Sequence, residues 1–393
     1  MNVYVTGIGI VSAIGNNVIE NYESLISLKS GIQKTNFSGY EAPRLIGAVK
    51  LSDDEIIEKY SVTNLPISRT SLLGIAAASE AWGNNSHSSS IRTGLISSTS
   101  VGGMDKSEKY YRQFVQKEEV DNSLILTHDS GSTSEKIADF LGMEGYVNTL
   151  STACSSSLNA IMLGARMIQQ NKLDRVIVGG TDAITEFTIN GFGSLMIYSD
   201  QLCKPFDKSR NGLNLGEGAA FLVLESEKSI KQTKNNPLCK LVGWCNAADA
   251  FHQTASSPEG KGATLAIEGA LKLAGLLPGD IDYINAHGTA TKNNDLSESR
   301  AILNVFKNSI PPFSSTKAYT GHTLAAAGAI ETVFSILTLE KDTIFPNLNF
   351  NQAIEDTKLN PVTELTTDKK INCVLSNSFG FGGNNSTVIL QKI

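Results

Sequence analysis

Short apolar runs, several alternating with small or polar residues, recur along the chain at VYVTGIGI, RTGLISST, RVIVGG, AAFLVLE, KLVGWC, IDYINAH, NCVLSNS and STVIL. They read as strands. Between them lie longer segments with helical spacing, such as RTSLLGIAAASEAW and GKGATLAIEGALKLAG, so strands and helices alternate and the pattern predicts an α/β fold. Two segments stand apart. ACSSSLNAIMLGARMIQ and GHTLAAAGAIETVFSILTLE are rich in small residues and nearly free of charge, which predicts helices buried on all sides. Their shared character, with a second series of strands starting near Leu238, predicts an internal duplication whose junction lies in the polar stretch EKSIKQTKNNP. The halves are then residues 1–237 and 238–393. Such a duplication gathers both buried helices and several strand-end loops at the centre, where α/β folds usually place their sites.

Composition narrows the class of protein. The 393 residues are 41% hydrophobic and 18% charged, which suits a folded chain with a large core. A net charge of −6 argues against broad nucleic-acid binding. No run approaches the roughly 20 apolar residues that span a bilayer, and the opening MNVYVTGIGIVSAIG lacks the basic flank of an export signal. A soluble, cytoplasmic protein with no membrane insertion is expected. The five cysteines, at 154, 203, 239, 245 and 373, form no CxxC pair and leave an odd one over. Neither a disulfide framework nor a metal site is expected from them. The polar stretches KNNP and NNSHSSS read as surface connections.

Candidate chemistry sits at the element boundaries. In VNTLSTACSSSLNAIMLGARMI, Cys154 falls where a strand gives way to a buried helix. The free N–H groups and positive dipole of a helix start favour a thiolate by ~1 kcal/mol, sometimes ~2, and can also serve an attacked thioester as an oxyanion hole. A cysteine among small residues is nonetheless more often a plain core residue. NAHGTATKNND places His287 at a strand end beside two threonines and Asp295, and STKAYTGHTLAAAGAIE places Lys317 five residues before His322 and Glu331 nine after it. One histidine on an apolar segment is usually structural. Two of them, each at the mouth of a small-residue element and both matched to a nucleophile, point to a shared site. His87, His128 and His252 lie in polar or loop settings and are assigned no chemistry. NSFGFGGNN sets Phe379 and Phe381 among glycines that allow close backbone approach, so the Phe381 N–H could meet a substrate oxygen; a tight turn before the last strand is the plainer reading. GIGIVS is a weak dinucleotide mimic, because Ser12 stands at the third glycine position.

Taken in order, TACSSS, NAHGTATKNND, STKAYTGHTLAAAGAIE and NSFGFGGNN resemble the β-ketoacyl synthases, in particular the elongating 3-oxoacyl-(acyl-carrier-protein) synthase II type. The likeness runs nearly end to end. It implies the thiolase-like five-layer α-β-α-β-α sandwich of two duplicated halves, usually dimeric. It also implies that Cys154 is the nucleophile, that the N–H groups of Cys154 and Phe381 form the oxyanion hole, and that His287 and His322 assist decarboxylation as neutral donors. Lys317 and Glu331 then organise the surrounding hydrogen bonds. Thr289 and Thr291 touch the phosphopantetheine arm, Val101 forms acyl-pocket wall, and Phe379 with Phe381 forms a gate. The implied reaction is a ping-pong decarboxylative Claisen condensation, in fatty acid, polyketide or aryl-polyene synthesis. No resident cofactor is implied, since the acyl carrier protein supplies the arm. The implied assembly is a homodimer, or a heterodimer with a chain-length-factor-like subunit.

The chain departs from the family in two places. Where relatives carry a Lys/Arg cluster facing the acidic carrier, SVTNLPISRT offers Arg69 alone, and the loop SLMIYSDQLCK is shorter than usual. Two rival readings remain. A CoA-dependent thiolase shares the fold and nucleophile, and a non-catalytic chain-length factor shares the fold but generally lacks the cysteine.

Overall fold

The computed structural model of the chain describes residues 2–36, 43–85 and 87–393. Among the described residues, ten strands join in one sheet: β1 (Val3–Ser12), β2 (Thr93–Ser98), β3 (Tyr146–Leu150), β4 (Arg175–Asp182), β5 (Gly218–Ser226), β6 (Cys239–Ala248), β7 (Tyr283–Asn285), β8 (Phe313–Ser314), β9 (Cys373–Gly380) and β10 (Asn384–Gln391). Their order across the sheet is β8-β7-β9-β10-β6-β1-β5-β4-β2-β3. Each strand of the group 3-2-4-5-1 thus has its counterpart five places later in 8-7-9-10-6. Directions repeat as well. β2 runs parallel to β3 and β4, as β7 runs parallel to β8 and β9. β5 is antiparallel to β4 and β1, as β10 is to β9 and β6. Within the sheet, among the described residues, the groups pair where Val3–Val5 of β1 meet Cys239–Leu241 of β6.

The helices follow the same duplication: α1 (Arg69–Trp82), α2 (Ser130–Phe140) and α3 (Ser156–Gln169), then α4 (Lys261–Ala274), α5 (Lys292–Phe306) and α6 (Ala327–Lys341). Strand alternation sorts them into layers. Ala220, Leu222 and Leu224 of β5 face a central cluster with Leu158 and Ile161 of α3 and Val333 of α6. Ala219, Phe221 and Val223 face outward onto Leu72, Ala76 and Ala77 of α1. In the second group Val374 and Val388 face the centre, while Leu375 and Ile389 meet Ile267 of α4 and Ile302 of α5. The result is the five-layer α-β-α-β-α sandwich.

Small residues in the central layer have a steric reason. A Cβ on Gly328 of α6 would lie 2.8 Å from Leu158 Cγ of α3, so bulk there would push the two helices apart. The glycines of GIGIVS act similarly. A Cβ on Gly9 would lie 2.1 Å from the Ala77 carbonyl oxygen, so that motif lets α1 settle on β1. Of the stretch NNSHSSS, Ser86 lies outside the described residues, and its neighbours are largely exposed. Among the described residues, no helix is long and apolar enough to cross a membrane.

Candidate active site

Three loops converge at the C-terminal ends of the parallel strands. After β3 the chain turns sharply into α3, with Ala153 at φ 53°. Ser156 Oγ fastens this turn, donating to the Ala153 carbonyl at 2.5 Å and accepting from the Thr152 N–H at 2.8 Å. Ser378 of β9 adds a hydrogen bond to the Cys154 carbonyl at 2.8 Å. His287 lies two residues past β7. Its N–H and that of Gly288 donate to the buried carboxylate of Glu298 at 2.9 and 2.8 Å. His322 lies beyond β8, in a turn held by its N–H to the Asn214 carbonyl at 2.8 Å.

These loops bring Cys154, His287 and His322 together, all buried. His322 Nε2 is 3.0 Å from Cys154 Sγ. The two imidazoles stand at 85° with centroids 5.4 Å apart, and the Phe379 ring lies 5.8 Å from that of His287. The backbone N–H groups of Phe381 and Cys154 both reach the sulfur. Lys317 Nζ lies 2.5 Å from the His287 carbonyl oxygen and 3.1 Å from His287 Nδ1, and it forms a buried ion pair with Glu331.

Hydrogen bonding assigns the imidazole protons. The Leu324 N–H donates to His322 Nδ1 at 3.3 Å, and the Lys317 ammonium donates to His287 Nδ1. With Nδ1 occupied as acceptor, each neutral ring carries its proton on Nε2. Burial pushes both imidazoles well below their ordinary range, and the charge of Lys317 adds to this. Neutral Nε2–H donors therefore face the sulfur pocket. Burial also pushes the Glu331 carboxyl up to about 7, against the pull of Lys317.

The cysteine departs from the sequence expectation. Burial pushes the Cys154 thiol up to about 12; Lys317 opposes the rise, Asp182 adds to it, and the two backbone N–H groups oppose it. Desolvation thus works against the helix-end effect and favours the thiol form. Cys/His/His is also a zinc donor set, and the three ligating atoms lie within 4.8 Å of one another. The ammonium beside His287 repels a second cation there.

A cavity of about 340 Å³ leads to the sulfur. Thr289 and Thr291 line it, their hydroxyls 2.9 Å apart, as do Phe192, Met196, Phe379 and Phe381. Phe381 stacks on Phe192 with centroids 5.7 Å apart. Val101 lies outside this lining, in an apolar cluster with Leu213 and Leu324 against which Phe192 packs. Arg69, the one cation expected to face a carrier, is committed internally. It binds Glu217 at 2.7 Å and Asp53 at 2.8 Å. The other histidines lie away from the cavity: His87 stacks on Trp82, His128 bonds Ser107 and His252 is exposed.

Sequence reasoning missed Glu298. Besides the two backbone N–H groups of the His287 loop it accepts from Asn377 Nδ2 at 3.1 Å, joining α5 to β9 behind the imidazole. The available signal was the position of Glu298 one helical turn beyond the flagged Asp295, on the same face of α5.

Two family models match the chain: "Beta-ketoacyl synthase, N-terminal domain" over residues 1–229 and "Beta-ketoacyl synthase, C-terminal domain" over residues 238–351. The 3-oxoacyl-[acyl-carrier-protein] synthase 2 of Coxiella burnetii is 34% identical over 413 residues, covering 100% of this chain and 98% of its own length. The ishigamide ketosynthase/chain length factor superposes with a TM-score of 0.92 at 28% identity, covering 100% of this chain and 99% of that one. The AntDE:AntF complex, a type II PKS acyl-carrier protein with its ketosynthase bound to the hexaketide, superposes with a TM-score of 0.89 at 27% identity, with coverage of 100% and 99%.

Proposed function

The chain belongs to the β-ketoacyl synthase family, and we propose that it condenses an acyl group held on Cys154 with a malonyl unit delivered by an acyl carrier protein. In the first half-reaction the Cys154 sulfur attacks the acyl thioester. A carbon–sulfur bond to Cys154 forms, the bond to the carrier's arm breaks, and the thiol proton leaves with the arm's sulfur. The N–H groups of Cys154 and Phe381 stabilise the transient oxyanion. In the second, malonyl-carrier loses CO2, and the negative charge that develops on its thioester oxygen is met by the Nε2–H groups of His287 and His322. The enolate carbon attacks the acyl carbon on Cys154, and the sulfur leaves and regains a proton.

One observation carries this reading: a buried sulfur lies 3.0 Å from the Nε2 of a neutral imidazole, with a second imidazole set edge-on beside it. Such donors act far more strongly in a dry pocket than in water. In this reading Lys317 and Glu331 hold His287 in its tautomer, and Thr289 and Thr291 guide the carrier's phosphopantetheine arm. The acyl chain lies along Phe192 and Met196 toward the cluster that holds Val101, and Phe379 with Phe381 forms the gate. The repeat unit boundaries are 1–237 and 238–393, a location in the reducing cytoplasm suits five free thiols, and a second subunit of the same fold packs across the free edge of β3.

The test is acyl-enzyme formation followed by intact mass after incubation with acyl-carrier protein. Wild-type protein is expected to gain one acyl group and Cys154→Ala none. An undiminished adduct on Cys154→Ala removes the nucleophile from the account. Transfer from acyl-CoA in place of acyl-carrier would favour the thiolase reading. An intact Cys-His-His set argues against a chain-length factor.

A further inference from the structure

β4 ends at Asp182, whose side chain is fully buried beside the sulfur pocket. Its carboxylate accepts from Thr99 Oγ1 at 2.5 Å, Ser100 N at 2.9 Å, Ser100 Oγ at 2.8 Å, Val101 N at 3.2 Å and Ala325 N at 2.8 Å. All these donors are neutral. A buried carboxylate without a cationic partner is unfavourable, and here its bonds join two loops that are distant in sequence.

One of them is the turn that carries His322. Leu324 sits there at φ 51°, a left-handed conformation that a branched side chain rarely adopts. In that conformation the Leu324 N–H reaches His322 Nδ1, and the next N–H along, that of Ala325, is the one Asp182 accepts. Val101 and Leu324 also share an apolar cluster, so the joined loops pack on each other. Released from Asp182, the turn can relax, and the Leu324 N–H leaves the imidazole. His322 is then free to carry its proton on Nδ1 and turn a bare Nε2 to the sulfur.

We propose that Asp182 is a positioning residue: through the Ala325 N–H it holds the strained Leu324 turn, and that turn fixes His322 as the Nε2–H tautomer against Cys154. The proposal deepens the condensing reading and rests on it. The carboxylate also acts on the sulfur directly, since its negative charge is one of the causes that push the Cys154 thiol up.

Asp182→Asn tests this, because it replaces one acceptor oxygen by a donor facing N–H groups. Nitrogen-15 spectra of imidazole-labelled protein are expected to show His322 as the Nε2–H tautomer in wild type and as a mixture in Asp182→Asn. Condensation kcat should fall about 100-fold, as when one transition-state donor is lost, while Cys154 is still acylated. Cys154 alkylation by iodoacetamide at fixed pH should become faster as the charge is removed, because Asp182 raises the thiol. Asp182→Glu, which keeps the charge and can still accept from Ala325, should recover at least part of the lost kcat and the wild-type alkylation rate. A purely structural role would lower the melting temperature and leave tautomer and alkylation rate unchanged, and that result overturns the proposal. So does an Nδ1–H tautomer in wild-type protein, whether or not the variants fold. Should wild type yield no β-ketoacyl product, the condensing reading fails, while the tautomer and alkylation readouts, which need no substrate, still judge Asp182.

Discussion

At the residue scale, the proposed chemistry rests on imidazoles that stay neutral. An ordinary histidine gains a proton near pH 6.5, but His287 and His322 are buried next to an ammonium, and both effects oppose protonation. Their nitrogen-15 resonances are therefore expected to stay in the neutral range from about pH 8 to about pH 6, where an ordinary imidazole gains its proton. Protonation of either ring in that interval contradicts the assignment. The linked stability effect has one sign. As pH falls through about 6.5 the unfolded chain takes up protons at these two positions that the folded chain refuses, so their contribution turns against folding. Cys154, His287, Lys317 and His322 stood out because each falls among small residues at an element boundary, and Glu331 because it interrupts the small, apolar run of α6. Glu298 and Asp182 were not. Glu298 sits in a helix with many polar residues, where a carboxylate reads as part of a solvated face, and Asp182 closes a strand whose burial comes from elements far away in sequence. The rise of the Cys154 thiol was not legible for a related reason: a helix start can be seen in sequence, but the depth of its burial cannot.

At the scale of elements, loops carry the proposed reacting groups and buried carboxylates hold the loops. Glu298 gathers the His287 and Gly288 N–H groups and Asn377. Glu298→Gln swaps an acceptor oxygen for a donor facing those groups, so it should cost about 1–3 kcal/mol of stability and lower condensation more than acylation. Urea unfolding with parallel kinetics checks both, and an unchanged midpoint would remove Glu298 from this role. The duplication was legible from two helices of the same unusual composition, and the structure shows why: they pack against each other, with Gly328 against Leu158. Strand order was not legible. It depends on pairings such as β1 with β5, more than 200 positions apart, as in Val3 with Ser226.

At the scale of the molecule, the sheet ends at β3, an edge strand that is only partly buried. The helix Met104–Gln116 exposes Tyr111, Phe114 and Val115, and Phe187 and Met196 are exposed as well. Exposed apolar side chains and a free strand edge both suit a second subunit. Phe114→Asp is expected to shift the protein toward monomer in light scattering, at equal concentration, and unchanged mass would contradict the assignment of this face. Arg69 shows what tertiary structure withholds from a sequence reading. A lone cation at a helix start looks available to an acidic partner, yet Glu217, 148 positions away, has already claimed it. The central claim is that one sulfur and two imidazoles divide a condensation between them. It is tested most directly by intact mass of His287→Ala and His322→Ala, given acyl-carrier and then malonyl-carrier protein. The account predicts that both variants accumulate the acyl group on Cys154 and fail to pass it on, with β-ketoacyl product down ~100- to 1,000-fold. Product formed at the wild-type rate by either variant would contradict it.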